Sequence, residues 1–264
     1  YEDSLALYTD AGDQPGVVKA LVELGWLVGY IMRNHDAGEA YFHRALAIAR
    51  ETDDKWGIAW ALNGLGVLAH WQRKHQQAIE CYEESLALAR EIGDQTRIAG
   101  ALNNLGLVKK ELGEYDEARR RLEESLAIFR ALGNRAGIAS PLTNLGDLAG
   151  RQGQHEQARQ FLAEALEIHK QIGNRAGVAG TLAGLGSLAR LQGHYDEARE
   201  RFIESLAISK EIDYRAGIAM GLEDLALVAR FQGDYNEARA RLLEILTIAR
   251  ELGDQNEVAE TLLN

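Results

Sequence analysis

The residues with the most obvious chemical potential in this 264-residue chain are seven histidines, one cysteine and two glycine-rich segments. Gly64-Leu-Gly66-Val-Leu-Ala69 and Gly184-Leu-Gly186-Ser-Leu-Ala189 both carry the G-x-G-x-x-A spacing. That spacing cradles a dinucleotide pyrophosphate when it links a strand to a helix. No strand precedes either segment, and each aligns with Asn104-Leu-Gly106 inside a helical stripe, so the match is set aside. The histidines form no HExxH motif and no i,i+4 pair, the spacings that hold zinc on a helix. His35, His75 and His155 occupy the place that Tyr115, Tyr195 and Tyr235 take at a period of 40, which makes them packing substitutes. Cys81 has no second cysteine to pair with and no base beside it, so neither a disulfide within the chain nor a thiolate nucleophile is expected. There is no phosphate-binding Walker motif. The chain is therefore expected to be no enzyme, with no catalytic residue, no metal ligand and no cofactor.

Composition narrows the partners. The formal net charge of −11 disfavours direct nucleic-acid binding and anionic membrane surfaces. No run approaches the ~18 apolar residues of a membrane span. A hydrophobic content of 46% is that of a folded chain. Glycine is frequent, at 27 residues, whereas proline occurs twice.

Glycine is placed by a period. Leu-Gly pairs stand at Leu65-Gly66, Leu105-Gly106, Leu145-Gly146 and Leu185-Gly186, and Leu225-Ala226 continues the series. Gly113, Gly153, Gly193 and Gly233 form a second series; Gly93, Gly133, Gly173, Asp213 and Gly253 form a third. Leu24-Gly25 precedes Leu65-Gly66 by one residue more than the period, so an extra residue lies between Trp26 and Asn34. Fixed self-similarity of this kind signals stacked repeats.

Each repeat reads as two helices. Ile98, Leu102, Leu105 and Val108 form one helical stripe, and Tyr115, Ala118, Leu122, Leu126 and Phe129 form the next. Glycines such as Gly133 stop the second helix, and Asp13, Asp54, Asp94, Asn134, Asn174 and Asp254 are placed to cap the next first helix, with Asp213 standing in beside Tyr214. Arg119 and Arg120 are expected to pair with Glu123 and Glu124 at i,i+4. Pro141, about two turns into a first helix, is expected to kink or delay it.

The second-helix pattern Gly113-Glu-Tyr115-Asp-Glu-Ala118 through Leu126, with Leu102-x-x-Leu105-Gly106 in the first helix, resembles the tetratricopeptide repeat. The resemblance covers essentially the whole chain. It departs from the family at the first-helix Trp, replaced by Leu62, Leu102, Leu142, Leu182 and Leu222, and at the closing Pro, where Arg90, Arg130 and Lys170 stand. The longer unit, with Gly-Asp/Asn-x-x-x-Ile-Ala between repeats, is similar to the arrays of Pins-like and kinesin-light-chain scaffolds. It is also similar to the C-terminal arrays of bacterial regulators of the MalT and AfsR kind, and the near-identical neighbouring units favour that bacterial group.

The resemblance implies an all-α, right-handed α-solenoid of antiparallel helix pairs, and the helical stripes account for more than 75% of the chain. A hairpin cannot bury its apolar faces alone, so neighbours must stack. The expected organisation is a single array over 1–264. A truncated second helix occupies 1–12, helix pairs occupy 13–53, 54–93, 94–133, 134–173, 174–213 and 214–253, and a truncated first helix occupies 254–264. Both ends cut through a repeat and residue 1 is not Met, which suggests a piece excised from a longer protein.

The resemblance also implies a concave groove lined by first helices, binding a protein or peptide. Its positions fall at Trp60, Asn63, Val67 and His70 or Trp71; at Gly100, Asn103, Leu107 and Lys110; at Ser140, Thr143, Asp147 and Gly150 or Arg151; at Gly180, Ala183, Ser187 and Arg190; and at Met220, Glu223, Leu227 and Arg230. Asn63 and Asn103 share one position, with Asn104 and Asn144 beside it. These amides have two open readings, bonding an extended peptide or bonding the neighbouring helix. Gly100, Ser140 and Gly180 either widen the groove or permit close helix packing. All four tryptophans lie at Trp26, Trp56, Trp60 and Trp71, as a binding patch or as filler for the irregular first repeat. The expected function is a protein- or peptide-binding array, the sensor or scaffold arm of a larger cytoplasmic bacterial regulator. The alternatives are a small-effector sensor and a structural module that self-associates through open array ends.

Overall fold

A computed structural model describes residues 1–32 and 34–252. Helix accounts for 86% of it, and no strand occurs among the described residues. The first compact unit, Tyr1–Asn134, holds α1 (Glu2–Asp10), α2 (Gln14–Trp26), a π-helical turn (Leu27–Ile31), α3 (His35–Glu51), α4 (Lys55–Trp71), α5 (His75–Ile92), α6 (Gln95–Glu111) and α7 (Tyr115–Ala131). The second, from Arg135 onward, holds α8 (Arg135–Arg151), α9 (His155–Gln171), α10 (Arg175–Leu191), α11 (Tyr195–Glu211), α12 (Arg215–Gln232) and α13 (Tyr235–Leu252). Within each unit every helix packs on its sequence neighbour, and first helices also touch the next first helix, α4 on α6 and α10 on α12. This is the stacked-hairpin solenoid that the period requires.

The stripes become the core. Ile98, Leu102, Leu105 and Val108 of α6 are buried, as are Ala118, Leu122, Leu126 and Phe129 of α7. The Leu-Gly pairs fit the two helices of a hairpin together. A Cβ on Gly66 would lie 2.5 Å from the Tyr82 ring, on Gly106 2.6 Å from Leu122, on Gly146 2.6 Å from Leu162, and on Gly186 2.7 Å from Phe202. One large side chain from each second helix thus occupies the space that the glycine leaves open. Three serines add a bond at the same register: Ser85 Oγ donates to the Ala59 carbonyl at 2.8 Å, Ser125 to Ala99 at 2.7 Å and Ser205 to Ala179 at 2.8 Å.

The extra residue before Asn34 is absorbed by the π-helical turn, a local widening that lets α3 resume the repeat register. Asp13, Asp54, Asp94 and Asn174 cap first helices by accepting from the backbone N–H three residues on. Asp213 does not substitute at α12. It takes a left-handed turn position, φ +50°, and pairs with Arg215 at 2.7 Å. Asp254 and the truncated helix over 254–264 lie outside the described residues.

Two further expectations are corrected. Pro141 neither delays nor shortens α8, which starts and ends at the same repeat positions as α6 and α10. Pro141 itself is buried. Arg119 does reach Glu123, at 3.8 Å, but Arg120 forks onto Glu117 at 2.5–3.0 Å. Glu124 accepts instead from Arg90 of the preceding second helix at 3.1 Å. Arg50–Glu84 and Lys210–Glu244 repeat that bridge at 2.9 and 2.8 Å, so the outer acids form a ladder between repeats.

Candidate functional site

The first helices carry the candidate residues, and the repeat register decides which side chains reach solvent. In the first unit, α4 presents Trp60 and Asn63, both half-buried, and α6 presents Asn103 and Asn104, also half-buried. Asn104 Nδ2 donates to Asn63 Oδ1 at 3.1 Å, and Asn103 Nδ2 donates to Asn104 Oδ1 at 3.3 Å. The three amides therefore form a chain running from α6 to α4. At least part of their capacity goes to the neighbouring helix, one of the two readings open from sequence. Asn104 uses both ends within the chain, and Asn63 uses only its oxygen.

The tryptophans do not form one patch. Trp26 stands edge-on to Phe42 at 5.3 Å, and Trp71 packs on Tyr30 at 4.7 Å and His35 at 5.8 Å, all around the π-helical turn. Trp56 and Trp60 make a separate T-shaped pair at 4.5 Å on α4. The Arg97 guanidinium of α6 lies 4.3 Å from the Trp56 ring centre and 5.2 Å from that of Trp60. Burial depresses the Arg97 pKa, and Asp94, 3.2 Å away, works against that. Arg97 was not selected from the sequence. The signal was present: it stands where Gly57, Gly137, Gly177 and Gly217 stand in other repeats.

Lys110 is buried, at 7% exposure, and His70 is half-buried beside Glu111 at 3.6 Å. Burial pulls the His70 pKa below its ordinary value, with Glu111 opposing.

In the second unit, α8 carries Thr143, whose hydroxyl bonds back to the Ala139 carbonyl at 3.0 Å, and the half-buried Asn144. Asp147 and the exposed Arg151 pair with each other at 3.1 Å. On α10, Arg190 is half-buried, and its Nε is buried without a hydrogen-bond partner. It acts electrostatically on Asp224 of α12, whose carboxyl burial pushes up to about 7. Glu223 and Arg230 are exposed and line one shallow groove of ≈ 210 Å³ with Ala226, Leu227 and Leu242.

The glycines of the first-helix line separate from the packing glycines. An added Cβ meets nothing within 4 Å at Gly100 or Gly180, and Ser140 is exposed at the same register. Helix packing therefore does not explain these two glycines. By contrast, an added Cβ would lie 2.3 Å from the Phe42 ring at Gly64 and 2.5 Å from the Tyr82 ring at Gly66. That leaves the first G-x-G-x-x-A segment no room for a phosphate. Cys81 is half-buried, and desolvation, with Glu84 and Glu80 nearby, raises its thiol to about 11, far from a thiolate at neutral pH. Among the described residues no helix is long and apolar enough to cross a membrane.

No curated protein matches by sequence. Among solved structures, the chain is similar to a Rap protein complexed with competence and sporulation factor, with TM-score 0.73 and 16% identity over 99% of this chain and 80% of that one. It is similar to NprR in complex with its cognate peptide NprX, with TM-score 0.70 and 18% identity over 89% and 68%. It is also similar to aspartyl phosphate phosphatase F from Bacillus subtilis, with TM-score 0.74 and 12% identity over 93% of this chain and 62% of that one. At these identities the likeness is one of fold. A family model described as tetratricopeptide repeat matches residues 28–91, 57–131, 97–171, 137–211 and 177–251 in overlapping register. With the stacked hairpins, the Leu-Gly packing and these matches in agreement, the chain belongs to the tetratricopeptide repeat family.

Proposed function

We propose that this chain is a peptide- or protein-binding array, the sensor or scaffold arm of a larger bacterial regulatory protein. Its ligand lies along the first helices. The observation that carries the reading is the open position at Gly100, where a side chain would touch nothing, beside the half-buried amides of Asn63 and Asn103 and the Trp56–Trp60 pair under Arg97. An extended segment can approach the backbone closely there, and the amides offer both donors and acceptors for its peptide groups. The aromatic pair supplies a rigid anchor of the type that dominates binding energies. Two similar folds were solved in complex with competence and sporulation factor or with a cognate peptide, which supports the reading by analogy of fold. In this proposal the helix pairs 13–53, 54–93, 94–133, 134–173, 174–213 and 214–253 are the modules of one array. Their remaining polar residues, such as Arg190, Glu223 and Arg230, set selectivity.

The test is selection of a random peptide library on the intact chain, followed by remeasurement on Trp60→Ala/Asn103→Ala. An affinity loss of at least ~10-fold, with the helical melt retained, is expected. Equal affinity removes these residues from the site. Sedimentation of the same samples separates the self-association reading, which requires a dimer stable to dilution.

A further inference from the structure

The turn between α4 and α5 and the end of α6 bring together three side chains that the binding reading does not use. His70 is the next-to-last residue of α4, His75 the first of α5 and Glu111 the last of α6. His70 Nε2 lies 3.6 Å from Glu111 Oε1, and His75 Nδ1 lies 3.9 Å from Glu111 Oε2. One ligand atom from each of the three falls within 4.8 Å of the others. His75 Nδ1, the atom that faces Glu111, is buried and has no hydrogen-bond partner, an arrangement that costs free energy unless something satisfies it. No metal ligand was expected from the sequence, because a spacing of five fits no helical pair and Glu111 follows 36 residues later.

We propose that His70, His75 and Glu111 form a binding site for one first-row divalent transition ion of the Zn²⁺ class. The donor set selects the class: two imidazoles and a carboxylate suit zinc and its neighbours, whereas Mg²⁺ and Ca²⁺ take oxygen donors. Three protein ligands leave a coordination position for water or a partner side chain. Bonds of ~2.0–2.1 Å place tetrahedral donors about 3.3 Å apart. The carboxylate contacts, one on each oxygen of Glu111, are 3.6 and 3.9 Å, and donor separations of up to 4.8 Å close by at most about 1.5 Å through side-chain rotation.

The charges around the site are mixed. Arg73 and Lys110 face His70, and Lys109 is bridged to Glu114 at 2.8 Å. These cations oppose an ion held by charge alone. Binding therefore rests on the imidazole donors, which ligate in their neutral form.

The repeat register isolates the site further. His35 with Trp71, and Tyr195 with Phe231, hold the positions of His75 and Glu111 in other repeats, and both pairs are ring contacts, at 5.8 and 5.5 Å. The counterparts of His70 are Lys110, Gly150, Arg190 and Arg230. The frame is thus unchanged, while one apolar contact has become a set of ligands. An ion there ties α4 to α5 and to α6, linking two successive helix pairs.

The experiment titrates the whole chain with Zn²⁺ by calorimetry and with Co²⁺ by visible absorption. One ion per chain is expected, with d–d bands of a nitrogen/oxygen site and a raised melting temperature. His75→Tyr and Glu111→Leu copy residues that other repeats carry at those positions, so the fold is retained, and each is expected to weaken binding by at least ~10-fold. His194→Ala removes an exposed histidine that faces Glu197 and is expected to change nothing. Absence of binding overturns the proposal, as does equal affinity in the wild type, His75→Tyr and Glu111→Leu.

Discussion

Asn104 Nδ2 donates to Asn63 Oδ1 at 3.1 Å, across the boundary between two helix pairs, while Asn104 Oδ1 accepts from Asn103 at 3.3 Å. The same register holds Gly64, Gly184 and Asp224 in other repeats, so an amide is not required for the fold. Replacing Asn104 with Gly, as in those repeats, removes both bonds and adds a glycine to a helix interior. The expected cost is roughly 1–2 kcal/mol in urea unfolding. If the amides serve the ligand through Asn63 and Asn103, peptide affinity is expected to fall as their orientation is lost. A variant of wild-type stability would show that the chain of amides contributes nothing to the stack.

This relationship marks the limit of what periodicity conveys. The buried stripes, the hairpin boundaries and the matching of Gly66, Gly106, Gly146 and Gly186 to second-helix side chains all follow from positions that repeat, because identical spacing demands identical burial. The contact of Asn104 with Asn63 joins residues that are 41 apart and chemically adaptable, and sequence left both of their readings open. Arg97 over Trp56 and the His70–His75–Glu111 group were missed because each breaks the repeat at one position. Within a repeat protein the frame is legible from agreement between units. The site is legible from disagreement, and a disagreement gains chemical meaning only once the neighbouring helix is in place. Pro141 shows the reverse, since α8 runs through a residue whose local propensity is to interrupt a helix.

Two glycines on α6 give opposite predictions for the same substitution. At Gly106 an added Cβ would lie 2.6 Å from Leu122 Cγ and 3.2 Å from the Ala118 carbonyl oxygen, and Leu122 is fully buried. Gly106→Ala is expected to destabilise by about 1–3 kcal/mol, net of the better helix propensity of alanine. In the sixth repeat Ala226 holds this position, and the facing Leu242 is only half-buried beside a groove. At Gly100 nothing lies within 4 Å, so Gly100→Ala is expected to stabilise by about 0.5–1 kcal/mol. Urea midpoints moving in the same direction for both would sink the distinction between packing and open glycines. Gly100→Trp extends the test to function, because it fills the open position and is expected to block peptide capture.

The turns also carry residues at odds with their backbone. Seven of the turn positions set by the period hold glycine at φ between 63° and 80°, whereas Asp53, Arg73 and Asp213 adopt φ of 53°, 57° and 50°. A residue with a Cβ pays roughly 1–2 kcal/mol in that region. Arg73→Gly and Asp213→Gly are each expected to stabilise by up to about 1 kcal/mol, since the added chain freedom of glycine offsets part of the relief. Thermal melts of the two single variants and the double variant check this. The effects should add, because the two turns lie in different units.

Asp224 gives the chain a predicted pH dependence whose sign is opposite to that of most carboxylates. Its carboxyl sits in α12, where burial, aided by Glu223 and opposed by Arg190, raises its pKa to about 7. In the unfolded chain it titrates near ~3.9. Below that value both states hold the proton and the group has no effect. As pH rises, the unfolded state releases its proton first, so stability falls between about 4 and 7 and then levels off. Glu117 acts the other way, since its hydrogen bond from Arg120 lowers its pKa and its stabilisation is lost in acid. The raw stability curve therefore mixes both signs, and the comparison needed is wild type against Asp224→Asn, in which every other group cancels. The asparagine keeps the shape and removes the titration, so its advantage over wild type should grow from pH 5 to pH 8 by roughly 1–3 kcal/mol, after discounting for partial exposure. Urea midpoints at the two pH values measure this. Parallel curves for the two proteins would mean that Asp224 is ionised in the folded chain throughout, with Arg190 close enough to hold its charge.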